Sequence, residues 1–321
     1  MSTVTLPENF GKVEFDEIQL GKELGPREWT ITFSEIDDHC LTQGSEFHEW
    51  YSVGYPTGGR VAPPSISYLP GRRLFSEAYP VSGLFVGWSH EQFDLLRPHR
   101  KMTLHGRVSD KYVKRERNWV WYELECKDAE TGKALFRTKR GHVLDYRQGD
   151  VARQPVAEGA ARPLDPYRPV AFETRSESET DRQPDAPIFA FKANGGQFPI
   201  GFELTPVSFQ LTRRAVTEYI HGHRGHDELE GLPAPVASGP LAAAQIHKMM
   251  VNHFGDGYVG HARFDLRFVN MMLREDFITA KGRVVGHRLE DGAHRIECEV
   301  WVERQTGQKS VVGSASALIG R

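Results

Sequence analysis

The segment His221-Gly-His-Arg-Gly-His-Asp227 brings three imidazoles, a guanidinium and a carboxylate into seven residues. Histidine is the side chain whose ordinary pKa lies nearest neutrality, and a neutral imidazole offers one donor and one acceptor with which to orient water. Three histidines and Asp227 also offer nitrogen and oxygen ligands of the kind zinc or iron accepts. Their glycine-interrupted spacing matches no local metal signature, and no metal or other cofactor is expected. Arg224 reads either as an anion contact or as a surface ion pair, the commoner role for a single arginine.

A second pairing, Glu46 and His48, stands in "QGSEFHEWY" beside Trp50 and Tyr51. It reads as a further acid/base pair or as a hydrogen-bonded corner. Ser238 precedes a glycine at a helix start, but the Gly-x-Ser-x-Gly elbow that exposes a hydrolase serine is missing around it. His247 and His253 fall within a helical run and read as satisfied core or helix-end histidines. His90, His99, His105 and His142 fall in strand or loop context and carry no assignment.

Two small-residue turns must position these groups. "VAPPSI" begins at Val61 and "PVASGPLAA" at Pro235, and each leads into a helix start. The second opens "PLAAAQIHKMMVNHF", a mostly apolar helix of about fifteen residues with Pro240 tolerated in its first turn. In the first, Pro70-Gly71 interrupts the pattern. Upstream, "ITFSEIDDHCL" and "LTRRAVTEYI" each predict a short helix capped by Thr32 or Thr212, with Glu35 completing a capping box.

The two turns belong to a longer duplication. Val61 lies 45 residues before Gly106 of "LHGRV", and Val236 lies 46 before Gly282 of "AKGRV". Between them come "FDLLRP" from Phe93 and "FDLRFV" from Phe264, matching in sequence order. Beyond them, two alternating strand pairs turn at Thr131-Gly132 and Thr306-Gly307. A register kept over about a hundred residues marks two copies of one unit. Residues 145–190, rich in Pro, Arg, Asp and Glu, read as the linker between a first unit at 1–144 and a second at 191–321. A buried helix followed by a long antiparallel meander, written twice, predicts an α+β fold in which each half curls a sheet around a central helix.

Bulk composition narrows the partners. Forty basic residues nearly balance 43 acidic ones in 321, a net charge of −3. That balance argues against nucleic acid or an anionic membrane surface as partner. Three scattered cysteines form no CxxC and suit a reducing, cytoplasmic compartment. No run approaches a membrane span.

These residues resemble the MaoC-like double-hotdog hydratases and dehydratases. "YPTGGRVAPPSI" is similar to that group's Gly-Gly-x-Val-Ala-Pro-Pro signature, and "EGLPAPVASGPLAA" to its Glu-Gly-x-Pro-x-x-Val-x-His-Gly-Pro-Leu turn, with Ser238 in the place of the histidine. The resemblance implies a helix-N-terminus site for a thioester carbonyl, formed around Ser238 and Gly239 in the second half and Ala62 in the first. It also implies an acidic or amide residue and a histidine as catalytic pair. No Asn-Pro dipeptide of the usual motif occurs in this sequence. His223-Arg-Gly-His226 instead resembles the His-Arg-x-His of mesaconyl-CoA hydratase-type proteins. By that match His226 is the general acid/base, His221 takes the place of the acidic or amide partner, and Arg224 contacts CoA phosphate or a substrate carboxylate.

The resemblance therefore implies an acyl-CoA hydratase or dehydratase working without a cofactor, as a homodimer by analogy. Two other functions remain open on the sequence: a hotdog thioesterase using Glu46 or Asp227, and a non-catalytic partner subunit. The altered catalytic motif is the feature that favours the last.

Overall fold

Alternating runs in the two copies fold as matching strands. A computed structural model describes residues 14–42, 48–79, 83–144, 198–212, 215–216 and 236–320. The first half supplies β1 (Glu23–Thr30), β2 (Leu84–Gln92), β3 (Lys101–Lys114), β4 (Arg117–Asp128) and β5 (Ala134–Val143). The second supplies β6 (Val207–Gln210), β7 (Arg263–Phe268), β8 (Phe277–Glu290), β9 (Ala293–Arg304) and β10 (Lys309–Ile319). They form a single ten-stranded sheet in the order β1-β3-β4-β5-β2-β7-β10-β9-β8-β6. Read from either edge, the order is the same: first, third, fourth, fifth, second strand of a half.

The duplication extends to irregularities. A register shift follows Val108 in the β3–β4 pairing and another follows Val284 in the β8–β9 pairing, at matching places 176 positions apart. Both predicted Thr-Gly turns form, with Gly132 at φ 71° and Gly307 at φ 79°, backbone that a side chain rarely adopts. The halves join where β2 runs antiparallel to β7, from Gly87 opposite Arg267 to Glu91 opposite Arg263. At the middle of this joint the Ser89 hydroxyl donates to Asp265 Oδ1 at 2.9 Å, and at its end Arg263 Nε donates to Glu91 Oε1 at 2.7 Å.

Among the helices, α1 (Phe33–Thr42) carries the predicted capping box. Thr32 N–H donates to Glu35 Oε2 at 2.8 Å, and Glu35 N–H donates back to Thr32 Oγ1 at 3.1 Å. The Thr212 hydroxyl likewise accepts from Ala215 N–H at 3.2 Å. A short α2 (Glu49–Ser52) precedes a 3-10 turn at Pro64–Ser67 that runs into α3 (Tyr68–Ala78). The second half has α4 (Gly239–Phe254) and a short α5 (Asp256–Val259). The long helix α4 is buried along nearly its whole length and packs on β6, β8, β9 and β10, while α3 packs on β1 and β3.

Two expectations are corrected here. Pro70-Gly71 does not interrupt α3. Proline sits in the first turn, where its missing N–H has no intrahelical acceptor to lose. Gly71 fits because the helix presses on the sheet there: a Cβ would lie 2.5 Å from Leu124 Cδ1 and 2.7 Å from Arg140 Nη1. Nor are "FDLLRP" and "FDLRFV" equivalent. Phe264 lies within β7, whereas Phe93 follows the end of β2; the partner of β7 is "LFVGWSHEQ". No helix among the described residues is long and apolar enough to cross a membrane. Cys40, Cys126 and Cys298 are buried free thiols.

Candidate functional site

The two small-residue turns have the same outline but differ in what their amides do. In the first, Val61 N–H donates to Trp50 O at 3.1 Å and Ala62 N–H to Leu96 O at 2.8 Å. Pro63 and Pro64 have no N–H to give. Ala62, expected to help hold a carbonyl oxygen, is fully buried with its only proton committed.

The second turn is held from outside. Ala237 N–H donates to Met272 O at 2.8 Å, and Val236 bridges to Leu273. Ser238 then occupies the N-cap position in extended conformation, but its hydroxyl caps nothing. Gly239 and Pro240 follow as the first helical residues, and Leu241 N–H turns back to Ser238 O at 3.1 Å. Ser238 and Gly239 are partly exposed. An uncapped helix start on a sixteen-residue helix presents the positive end of its dipole, with N–H groups that have no intrahelical acceptor. Gly239 is required by packing, since a Cβ would sit 2.7 Å from Cδ1 and 2.9 Å from Cε1 of Phe268 on β7.

His48 sits at the N-cap of α2, its Nδ1 accepting from Trp50 N–H at 3.4 Å. Its ring packs against Trp50 and Tyr51, with centroids at 4.6 Å and 5.6 Å. Burial lowers its pKa against the opposing pull of Glu49. This geometry is the hydrogen-bonded corner. Its proposed partner Glu46 lies outside the described residues, as do His221, His223, Arg224, His226 and Asp227. His253 is a satisfied helix-end histidine, accepting from Thr205 N–H at 3.0 Å and placing Nδ1 2.9 Å from Met249 O.

A buried polar seam between the halves was not anticipated. His39 Nε2 lies 2.8 Å from Ser65 Oγ, His90 Nε2 2.9 Å from Gln92 Oε1, and His247 Nδ1 2.6 Å from Tyr258 OH. Burial holds all three imidazoles down to about 3, so they are neutral at physiological pH. After burial, His90 and His39 each push His247 further down, which brings residues of both halves into one environment. Arg140, also fully buried, donates to the carbonyls of Ser67 and Tyr68 at the start of α3. The available signal was on β2, where Trp88, His90 and Gln92 share the inward face.

No protein-family model matches the sequence, and no curated protein matches it significantly. Solved structures do. A protein described as a MaoC-like dehydratase superposes with a TM-score of 0.68 at 18% identity, over 94% of this chain and 98% of its own. A putative MaoC domain protein dehydratase from Chloroflexus aurantiacus gives 0.65 at 13% identity, over 100% and 99%. A Mycobacterium tuberculosis protein described as having a double hotdog fold gives 0.62 at 12%, over 95% and 97%. The fold is a double hotdog. Identities this low establish architecture and leave the chemistry of the double hotdog to its own residues. Of those in the described regions, the α4 start combines partial exposure with a helix N-terminus that no side chain caps, on a sixteen-residue helix.

Proposed function

We propose that this double hotdog is an acyl-CoA hydratase or dehydratase, interconverting a trans-2-enoyl thioester and its 3-hydroxyacyl counterpart. The observation that carries the reading is the open α4 start: an uncapped helix terminus, accessible at Ser238 and Gly239, on a fold shared end to end with proteins described as dehydratases. Protonation at the α-carbon passes through an enolate whose charge collects on the thioester oxygen. Backbone N–H groups at a helix start are suited to that oxygen because they are aimed before the charge develops.

In this reading His226 moves the proton, His221 orients water with its donor and acceptor nitrogens, and His223 supports them. Arg224 meets a phosphate or carboxylate of the substrate. Glu46 and His48 of the first half are a subordinate pair, and the corner geometry of His48 makes it the weaker acid/base candidate. Water adds across the double bond: its oxygen bonds to the β-carbon, and a proton is delivered to the α-carbon. A homodimer in the cytoplasm is the proposed working form.

The test is loss of absorbance of conjugated enoyl-CoA thioesters over a panel of short, branched and carboxylated chains, with free thiol followed in parallel. Hydration with a drop of about a hundredfold or more in His226→Ala supports the assignment. Thiol release with the chromophore intact would make the protein a thioesterase, and turnover that survives His226→Ala would remove that residue from the chemistry.

A further inference from the structure

The turn between β7 and β8 ends on a carboxylate that is only 5% exposed, Asp276. Its Oδ2 accepts from Leu273 N–H at 2.7 Å, and its Oδ1 accepts from Arg304 Nη2 at 2.9 Å and Gln305 Nε2 at 3.0 Å. Arg304 Nε lies 2.8 Å from Oδ2. Burial alone would raise the pKa of Asp276, but the hydrogen bonds from Arg304, Leu273 and Gln305 hold it below the ordinary carboxylate range. The group is therefore ionised at neutral pH. The same turn supports the candidate site from behind. Met272 O accepts Ala237 N–H at 2.8 Å and Leu273 bridges to Val236, so the two residues before Ser238 are fixed to the stretch that Asp276 folds back upon. Leu211 is held there too: its N–H donates to Asp276 O and its carbonyl accepts from Glu275 N–H, both at 2.8 Å. In sequence, Leu211 and Val236 flank His221, His223 and His226.

The first copy writes the same turn with the charges exchanged. Arg100 and Asp128 stand 176 positions before Asp276 and Arg304, and Arg100 Nε donates to Asp128 Oδ2. The surroundings correspond as well. His99 at φ 63° answers Glu275 at φ 72°, both in backbone that a residue other than glycine rarely adopts, and His99 N–H donates to Ile31 O as Glu275 N–H does to Leu211 O. Ala62 N–H donates to Leu96 O as Ala237 N–H does to Met272 O. Since either polarity closes an ion pair between turn and sheet, attraction alone does not account for a carboxylate on the second turn. A carboxylate can do what a guanidinium cannot, which is to accept the Leu273 N–H. The copy with that acceptor is the one whose helix start is uncapped and partly exposed.

We infer that Asp276 is a positioning residue for the α4 start: by accepting Leu273 N–H it fixes the Met272-Leu273 backbone, and through Ala237 it aims the helix-start N–H groups at the thioester oxygen. This rests on the acyl-thioester reading above. Donors that are aimed before charge develops need no rearrangement during reaction, and a shift of about 1 Å in such a group costs on the order of a hundredfold in rate. Arg304 has a separate task. It compensates the buried charge and ties the turn to β9, which is a matter of stability.

The experiment crosses the two roles. Arg304→Ala removes the ion pair and keeps the acceptor for Leu273 N–H, whereas Asp276→Arg combined with Arg304→Asp keeps an ion pair in the first copy's polarity and removes the acceptor. Enoyl-CoA kinetics and thermal melting by circular dichroism are read on both. Arg304→Ala is expected to melt lower yet keep kcat within a few fold. The exchanged pair is expected to lose kcat by about ten- to a hundredfold with KM little changed. A fall in kcat as large in Arg304→Ala as in the exchanged pair, or undiminished kcat in a folded exchanged pair, would overturn the inference. If either variant fails to fold, or the wild type hydrates no enoyl thioester, amide hydrogen exchange of the wild type decides. Ala237 N–H must then share the protection of Leu273 N–H; free exchange at Ala237 beside a protected Leu273 would overturn the inference. Shared protection without any enoyl hydration would sink the hydratase reading and leave the hold of Asp276 on the helix start standing. Hydration whose kcat fails the crossed comparison would sink this inference alone.

Discussion

Gly239→Ala tests whether the α4 start holds the reacting oxygen. The added Cβ would fall 2.7 Å from Cδ1 and 2.9 Å from Cε1 of Phe268. Carbon atoms rest at about 3.5 to 4.0 Å, so helix and ring must part by roughly 1 Å. Overpacking of this size costs about 1–3 kcal/mol of stability, too little to unfold a well-formed domain. The effect on turnover should be larger: a displacement of about 1 Å in a positioning group costs on the order of a hundredfold. The loss should fall on kcat, because the amides act on charge that appears only during reaction. Phe268→Leu in the same chain makes room for the methyl and should restore most of the rate. Enoyl-CoA absorbance gives the kinetics, and thermal melting followed by circular dichroism confirms folding. A folded Gly239→Ala protein with undiminished kcat, or a loss that Phe268→Leu does not repair, would refute the oxygen-binding role.

Other consequences concern the frame that carries the site. Glu290 accepts paired hydrogen bonds from Arg263 and Arg295. Burial alone would raise its pKa, but the hydrogen bonds and charge of the two arginines hold it at about 2. Because the folded pKa is depressed, its contribution is present above about 4.5 and lost as pH falls through about 2. Glu290→Gln, which leaves the nearly buried Arg295 without that charge, should cost about 3 kcal/mol in urea unfolding at neutral pH and much less at pH near 2. Buried His39, His90 and His247 resist protonation in the fold but protonate freely once unfolded, so their contribution is full above about 6.5 and falls away toward 3. Proton uptake on unfolding near pH 5 should include about three protons from these residues, and uptake near zero would contradict their burial. Gly71→Ala should destabilise by about 1–3 kcal/mol, since its Cβ meets Leu124 and Arg140. His48→Ala should cost about 1 kcal/mol through the lost cap while leaving enoyl hydration within a few fold.

The parts of the fold legible in the sequence are those with local causes. The Thr32 and Glu35 pairing announces α1, the apolar run after Ser238 announces α4, and the two Thr-Gly turns announce their hairpins. The β2 strand was harder to see because its inward face holds Trp88, His90 and Gln92, so polarity does not mark the outside. Its pairing with β7 joins residues more than 170 positions apart, beyond the reach of any local pattern. Ala62 and Gly239 look interchangeable as letters. Only tertiary contacts give Ala62 N–H to Leu96 while the Ser238 hydroxyl leaves its own helix start uncapped. His247 reads as a satisfied core histidine, and half of that reading holds, since Nδ1 is paired and Nε2 has no partner among the described residues.

The most direct test of the hydration chemistry is product analysis by mass spectrometry after turnover of an enoyl-CoA in heavy water. Hydration at the α4 site predicts an intact thioester that has gained one non-exchangeable deuterium on the α-carbon and a hydroxyl on the β-carbon. Free CoA with an unlabelled enoic acid, or an enoyl thioester recovered unchanged across the substrate panel, would contradict it.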